Sequence, residues 1–327
     1  MKKELGTFLL LVLLCALVPL VEKSLGQESR FLSVTNLQNM ARLIGMYGIF
    51  SIGLGLVIIT GGIDLSVGSV FALLGVVMSM MLTEWGWPSA LAVVATVAFG
   101  TGLGALHGLL ITKVRVQPFI VTLCGLLFYR GLARFVSNDE TKGFGAAAGF
   151  ETLRNVATGS LFGIPTPFVL LIVVSVVMWV VLHRSVYGRY LFAVGRNETA
   201  ARYSGINSQR MVASAYIVLG ALVGIASIVF AFYTNSISPS SHGNSFELYG
   251  IAAAVLGGCS LRGGEGSIIG ILIGAALLQV LQNLVNLLGI PSSLNFAVLG
   301  AVILIGVIAD QILQRRSARV KAVAKPA

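Results

Sequence analysis

Apolar residues run along this chain in blocks of about 20, the length of one helical membrane crossing. Short polar or glycine-rich segments separate them. The pattern predicts about ten spans, at roughly 5–21, 41–60, 66–83, 89–112, 118–136, 167–183, 211–232, 247–259, 267–289 and 294–313. The fold class that follows is an all-α polytopic membrane protein. The eighth block is short for a crossing, which points to a tilted or broken helix or one extended by its neighbours. Two breaks are rich in glycine, at residues 61–68 and 257–267. A helix interrupted at membrane depth frees backbone groups that only protein or a watery cavity can satisfy.

The composition agrees with this pattern. Of 327 residues, 56% are hydrophobic and 10% are charged, where a soluble domain carries about 25% charged residues. The whole chain, 1–327, reads as a single transmembrane domain. Lys2 and Lys3 precede the first apolar run, which reads as an uncleaved span rather than a signal peptide. The net charge of +10 does not point to nucleic acid, because the basic residues gather at the ends of apolar runs. With the N-terminus in the cytoplasm, 15 of the 22 Lys and Arg residues fall on the cytoplasmic side, as the positive-inside rule requires. An even number of spans then returns the C-terminus, with its basic tail 314–327, to the same side. Cys15, Cys124 and Cys259 lie in or beside apolar runs without metal-binding spacing and read as small buried hydrophobes.

Two loops stand out by length. Residues 137–166 are extracytoplasmic in this topology, and residues 184–210 are cytoplasmic and strongly polar. Within the latter, Asn197 is suited to cap a short helix over Glu198–Tyr203 with an acid in its first turn, and Gly205 is suited to end it. Such a helix fits a cleft on a soluble partner, or lies at the interface with its arginines on lipid phosphates.

The break Gly61-Gly-Ile-Asp-Leu-Ser-Val-Gly68 carries a carboxylate, Asp64, and a hydroxyl, Ser66. Asp64 has two readings: contact with solute or gate, or a cap that locks the following helix by accepting its free N–H groups. The segment Gly257–Ser267 resembles Gly61–Ser69 in its paired glycines, its Leu and its closing Gly-Ser, so a weak internal repeat is visible. Gln279, Gln282, Asn283 and Asn286 share one helical face. That amide stripe suits either a hydroxyl-rich solute or hydrogen bonds between helices. Phe119 and Phe128 are candidate stacking surfaces for a sugar ring, against a packing role. Arg130 and Arg134 are candidates for docking an external protein, against snorkelling to headgroups. His107 reads as a hydrogen-bonded core histidine. There is no G-x-x-x-x-G-K-[ST] phosphate loop, no nucleophilic triad and no metal-binding cluster in the sequence, so no catalytic residue, metal or cofactor is expected in this chain.

Glu198-Thr-Ala-Ala-Arg-Tyr-Ser-Gly-Ile206 resembles the Glu-Ala-Ala…Gly coupling segment of ABC-importer permeases. Gly62-Ile-Asp-Leu-Ser-Val-Gly-Ser69, Arg115-Val-Gln-Pro-Phe-Ile120, Gly188-Arg-Tyr190, Leu256–Gly266 and Asn286-Leu-Leu-Gly289 resemble the ribose-type sugar permeases of that superfamily, in collinear order over nearly the whole chain. The resemblance implies a permease of the bacterial inner membrane that moves a monosaccharide or similar polyol by alternating access. It implies cytoplasmic ATPase subunits, a periplasmic or tethered sugar-binding protein and a second permease subunit as partners, besides membrane lipid. It also implies that Asn197, Glu198, Thr199, Ala200, Ala201 and Gly205 couple to the ATPase. Arg196, Thr199, Cys259 and Arg262 depart from the usual family residues, which leaves the substrate open. A stand-alone carrier or channel, or a receptor, are the competing classes; neither would use a coupling segment.

Overall fold

The computed structural model describes residues 2–24, 30–145 and 150–289, and beyond them only positions 291, 294, 297, 298, 300, 301 and 304. The chain forms α1 (Lys2–Ser24), α2 (Val34–Ile59), α3 (Val67–Thr83), α4 (Ser89–Thr112) and α5 (Pro118–Val136). After α6 (Glu151–Thr158), α7 (Thr166–Trp179) runs on through a π-helical turn, Val180–Arg184. Then come α8 (Val186–Arg196), α9 (Glu198–Tyr203), α10 (Ser208–Thr234), α11 (Phe246–Leu256) and α12 (Ile268–Leu287). The ends are set by local chemistry. Ser33, Asn207 and Ser267 accept N–H bonds at the starts of α2, α10 and α12, and proline opens α5 and α7, where its missing N–H costs nothing.

Among the described residues, six helices are long and apolar enough to cross a membrane: α2, α4, α5, α7 with its π turn, α10 and α12. Glu4–Leu20 of α1, all of α3 and all of α11 are shorter apolar helices. The protein is therefore an all-α membrane protein. Most of the predicted span 294–313 and all of the tail 314–327 lie outside the described residues.

The core is built around α2 and α10. Their most apolar windows are 78% buried, against 22% for α4, so α4 borders the bundle. It still approaches α10 closely, because glycines face each other. A Cβ on Gly104 would sit 2.2 Å from the Tyr216 carbonyl oxygen, and one on Gly220 2.2 Å from that of Gly100. Small residues at four-residue spacing are how membrane helices bring backbones together. Phe50, Phe71, Phe230 and Phe246 from α2, α3, α10 and α11 form one aromatic cluster, with ring centroids 4.8–5.9 Å apart.

One end of the bundle carries β1 (Lys142–Gly143), antiparallel to β4 (Ser236–Ile237), and the small hairpin of β2 (Ser160–Leu161) and β3 (Ile164–Pro165). Phe144 stacks on Phe232 there at 4.3 Å. Lys142 bridges Glu84 and Glu140 at 2.9 and 3.2 Å, and the Glu84 hydrogen bond holds its ammonium above the ordinary lysine value. The opposite end carries α8 and α9.

Three expectations change in detail. Loop 184–210 is mostly helical, because Leu191 and Val194 give α8 a buried face. The eighth block is short because the chain reaches it through an irregular segment, 238–245, so that α11 has only 11 residues. Cys124 is exposed on α5 rather than buried.

Candidate functional site: a fastened break and an exposed short helix

Between α2 and α3 the chain makes a turn at Thr60–Gly61 and then runs without regular structure over residues 62–66. Gly61 has φ +84°, which glycine adopts without strain. Gly62 has no room for a side chain, since a Cβ would lie 2.5 Å from the Tyr216 hydroxyl. This irregular stretch carries Asp64 into the bundle, where it is 3% exposed.

Every polar atom of that carboxylate is engaged. Asp64 Oδ1 accepts from the Ser66 N–H at 2.8 Å and from the Ser66 hydroxyl at 2.6 Å. Asp64 Oδ2 lies 3.3 Å from His107 Nδ1 on α4. His107 Nε2 in turn lies 2.9 Å from the Tyr129 hydroxyl on α5. A carboxylate can only accept, so Nδ1 of a neutral ring carries the proton and Nε2 accepts from Tyr129. Two further hydroxyls approach the adjacent backbone: Thr122, shared with the Pro118 carbonyl at 3.0 Å, lies 3.3 Å from the Ile63 carbonyl oxygen, and Tyr216 lies 3.5 Å from the same oxygen. Side chains from α4, α5 and α10 thus fasten a segment that has no helix of its own. The free space beside Asp64, His107 and Tyr216 is about 10 Å³, room for about one water and none for a sugar.

Glu247 reaches the same region from α11. Its Oε2 lies 2.5 Å from where a Cβ of Gly68 would stand, in the first turn of α3, a position where an acid is favoured by the helix dipole. Arg130 on α5 donates to the carbonyls of Pro239 and His242 at 3.1 and 2.8 Å. Arg134 is exposed and forks onto Asp139 at 2.9 and 2.6 Å. Phe119 and Phe128 are 47% and 64% exposed on α5.

The amide stripe is divided rather than open. Gln282 donates to the Tyr249 hydroxyl at 2.6 Å. Asn283 and Asn36 exchange two bonds, at 3.0 and 2.7 Å, that join α12 to α2. Gln279 is 2% exposed and its Oε1 has no donor among the described residues.

At the other end, α9 has the predicted bounds. Asn197 accepts from the Ala200 N–H at 2.9 Å, and Glu198 accepts from the Ser208 hydroxyl at 2.9 Å. Gly205 follows with φ +83°. Ala201 is buried, while Thr199, Ala200 and Arg202 are exposed and Tyr203 is 90% exposed. The junction of α8 and α9 touches both breaks. A Cβ on Gly195 would stand 1.8 Å from the Ile59 carbonyl oxygen and 2.6 Å from the Gly264 nitrogen. Gly264 N–H donates to that same Ile59 oxygen at 2.8 Å.

The sequence singles out Asp64, Ser66, His107 and α9. It gives no signal for Thr122, Tyr216 or Gly195, whose contacts with the first break lie 59 or more positions away in the chain.

A helical bundle with a fastened break at depth and a short exposed helix at one end has the architecture of a membrane transport subunit. The chain matches, over residues 36–307, the family described as branched-chain amino acid transport system / permease component, and it belongs to that family. It is 38% identical over 310 residues to the ribose import permease protein of Bacillus subtilis (strain 168), covering 94% of this chain and 93% of that one. It is 38% identical over 298 residues to the ribose import permease protein of Escherichia coli (strain K12), covering 91% and 92%. It is 32% identical over 347 aligned positions to the xylose transport system permease protein of Escherichia coli (strain K12), covering 89% and 88%. No solved structure matches the chain.

Proposed function

We infer that this chain is the permease subunit of an ATP-binding cassette importer that carries a monosaccharide, ribose or a related pentose, across the bacterial inner membrane. The observation that carries the reading is full-length similarity to ribose and xylose permeases, together with an exposed α9 capped by Asn197. The family description mentions amino acids, but the relatives place this chain on the sugar side.

In this reading the chain makes about ten crossings, and both termini are cytoplasmic. Asn197, Glu198, Thr199, Ala200, Ala201 and Gly205 then face the ATPase, which hydrolyses ATP as a separate subunit. A motion of α9 reaches Ile59 through Gly195, because backbone packed on backbone leaves no soft side chain to absorb it. Ile59 leads directly into the break that holds Asp64, so Asp64 and Ser66 act as the lock of the gate. Phe119 and Phe128 lie on the face that meets a second permease subunit or the solute, and Gln279, Gln282 and Asn283 brace the helices beside the path. Arg134 faces a sugar-binding protein outside, whereas Arg130 serves the loop behind it.

The test is affinity purification of this chain from its membrane in mild detergent, with mass spectrometry of what accompanies it. The expected companion is a stoichiometric ATPase that dissociates from a Gly205→Pro or Glu198→Lys variant. A chain that purifies alone and still moves sugar without ATP would favour a stand-alone carrier.

A further inference from the structure

Residues 238–245 descend beside α3. Ser236 pairs with Gly143, whose carbonyl accepts from Ser79 near the far end of α3. The Ile237 side chain lies 3.3 Å from where a Cβ of Gly75 would stand. The Gly243 carbonyl lies 2.2 Å from the corresponding point on Gly68, the second residue of α3. From Thr83 to Gly68 the rise is about 22 Å, against about 30 Å of hydrocarbon. This loop therefore reaches past the middle of the membrane before α11 begins.

Irregular backbone at that depth is stable only where protein covers it or water reaches it. One side is covered: His242 is 8% exposed, Gly243 is buried, and Arg130 holds two of the carbonyls. The other side is open and polar. Ser241 and Asn244 are exposed and Glu247 is half-buried one turn on. Lipid tails would leave these groups without partners, at a cost of several kcal/mol for each such group.

We propose that Ser241, Asn244 and Glu247 line a water-filled part of the solute path, with Asn244 and Glu247 contacting the hydroxyls of the passing sugar. This rests on the importer reading above. An amide both donates and accepts, and a carboxylate accepts, which is the set an uncharged polyol requires. The Glu247 carboxylate also packs against Gly68, so solute at Glu247 is sensed directly at the start of α3, two residues from Ser66.

The experiment uses the assembled transporter in membrane vesicles, with Cys15, Cys124 and Cys259 replaced by serine. Asn244→Cys and Ser241→Cys are compared with Val94→Cys, a site 64% exposed on α4. A charged, membrane-impermeant methanethiosulfonate is the probe. The expected result is modification of positions 244 and 241 but not 94, with loss of uptake, and a drop of about tenfold in uptake at limiting sugar for Asn244→Ala without loss of assembly. The proposal is overturned if both loop cysteines resist the reagent as Val94→Cys does, because lipid or a second copy then covers them. It is equally overturned if Asn244→Ala transports normally. Uptake without any ATPase would instead overturn the importer reading, and the labelling would still report whether the loop is wet.

Discussion

The two glycine-rich breaks look alike in sequence and are built differently. Both lie at the α9 end, and they touch: a Cβ on Gly263 would stand 3.0 Å from the Gly61 nitrogen. The second break folds on itself. Ser260 N–H donates to the Glu265 carbonyl at 3.1 Å, Gly263 N–H to the Ser260 carbonyl at 2.8 Å, and Ser267 caps α12 directly. The first break climbs into the bundle, where the local bonds from Ser66 to Asp64 are joined by contacts from other helices through His107, Tyr129, Thr122 and Tyr216. At the position matching Ser260 it carries Asp64. Asp64 accepts locally from Ser66 and, at 3.3 Å, also meets His107 on a neighbouring helix, whereas the bonds of Ser260 with Glu265, Gly263 and Arg262 stay within its own turn.

The largest effect is expected from Asp64→Ala, which leaves the Ser66 N–H, the Ser66 hydroxyl and His107 without their acceptor. A loss of about 3 kcal/mol in stability, seen as a lowered unfolding temperature in detergent, should accompany abolished uptake. Unchanged stability would mean that the carboxylate is not the lock. Gly195→Ala comes next, since its methyl meets backbone of both breaks. A cost of about 2 kcal/mol is expected, and ATPase activity should survive while sugar uptake falls. Tyr129→Phe removes only the outermost hydroxyl of the chain to Asp64, for about 1 kcal/mol; a scan showing no change would place that hydroxyl outside the fastening. Ser260→Ala is the control. Its hydroxyl accepts the exposed Arg262 N–H at 3.3 Å, and the effect should stay within about 0.5 kcal/mol.

Helices were legible because their signals are local. The apolar blocks are read from neighbouring positions, and Asn197 caps α9 through the Ala200 N–H three residues on, with Gly205 just beyond its end. Asp64 was legible as a costly residue because a lone carboxylate in a glycine-rich break is rare in apolar sequence. Its two roles were not separable, since His107 and Tyr129 are 43 and 65 positions away and no spacing rule joins them. The amide stripe kept two readings open for the same reason. Gln282 and Asn283 share a face, but Tyr249 and Asn36 on other helices decide what that face meets. The depth of loop 238–245 was hidden because its polar residues read as an ordinary external turn, and only its packing along α3 shows the descent.

The most direct measurement is uptake of labelled ribose into proteoliposomes holding this chain, its co-purifying ATPase and its sugar-binding protein, with and without ATP. Uptake should need ATP and the binding protein, be lost in Asp64→Ala, and be lost in a Gly205→Pro variant that still inserts normally. Ribose uptake by this chain alone, indifferent to ATP and to both substitutions, would contradict the importer reading.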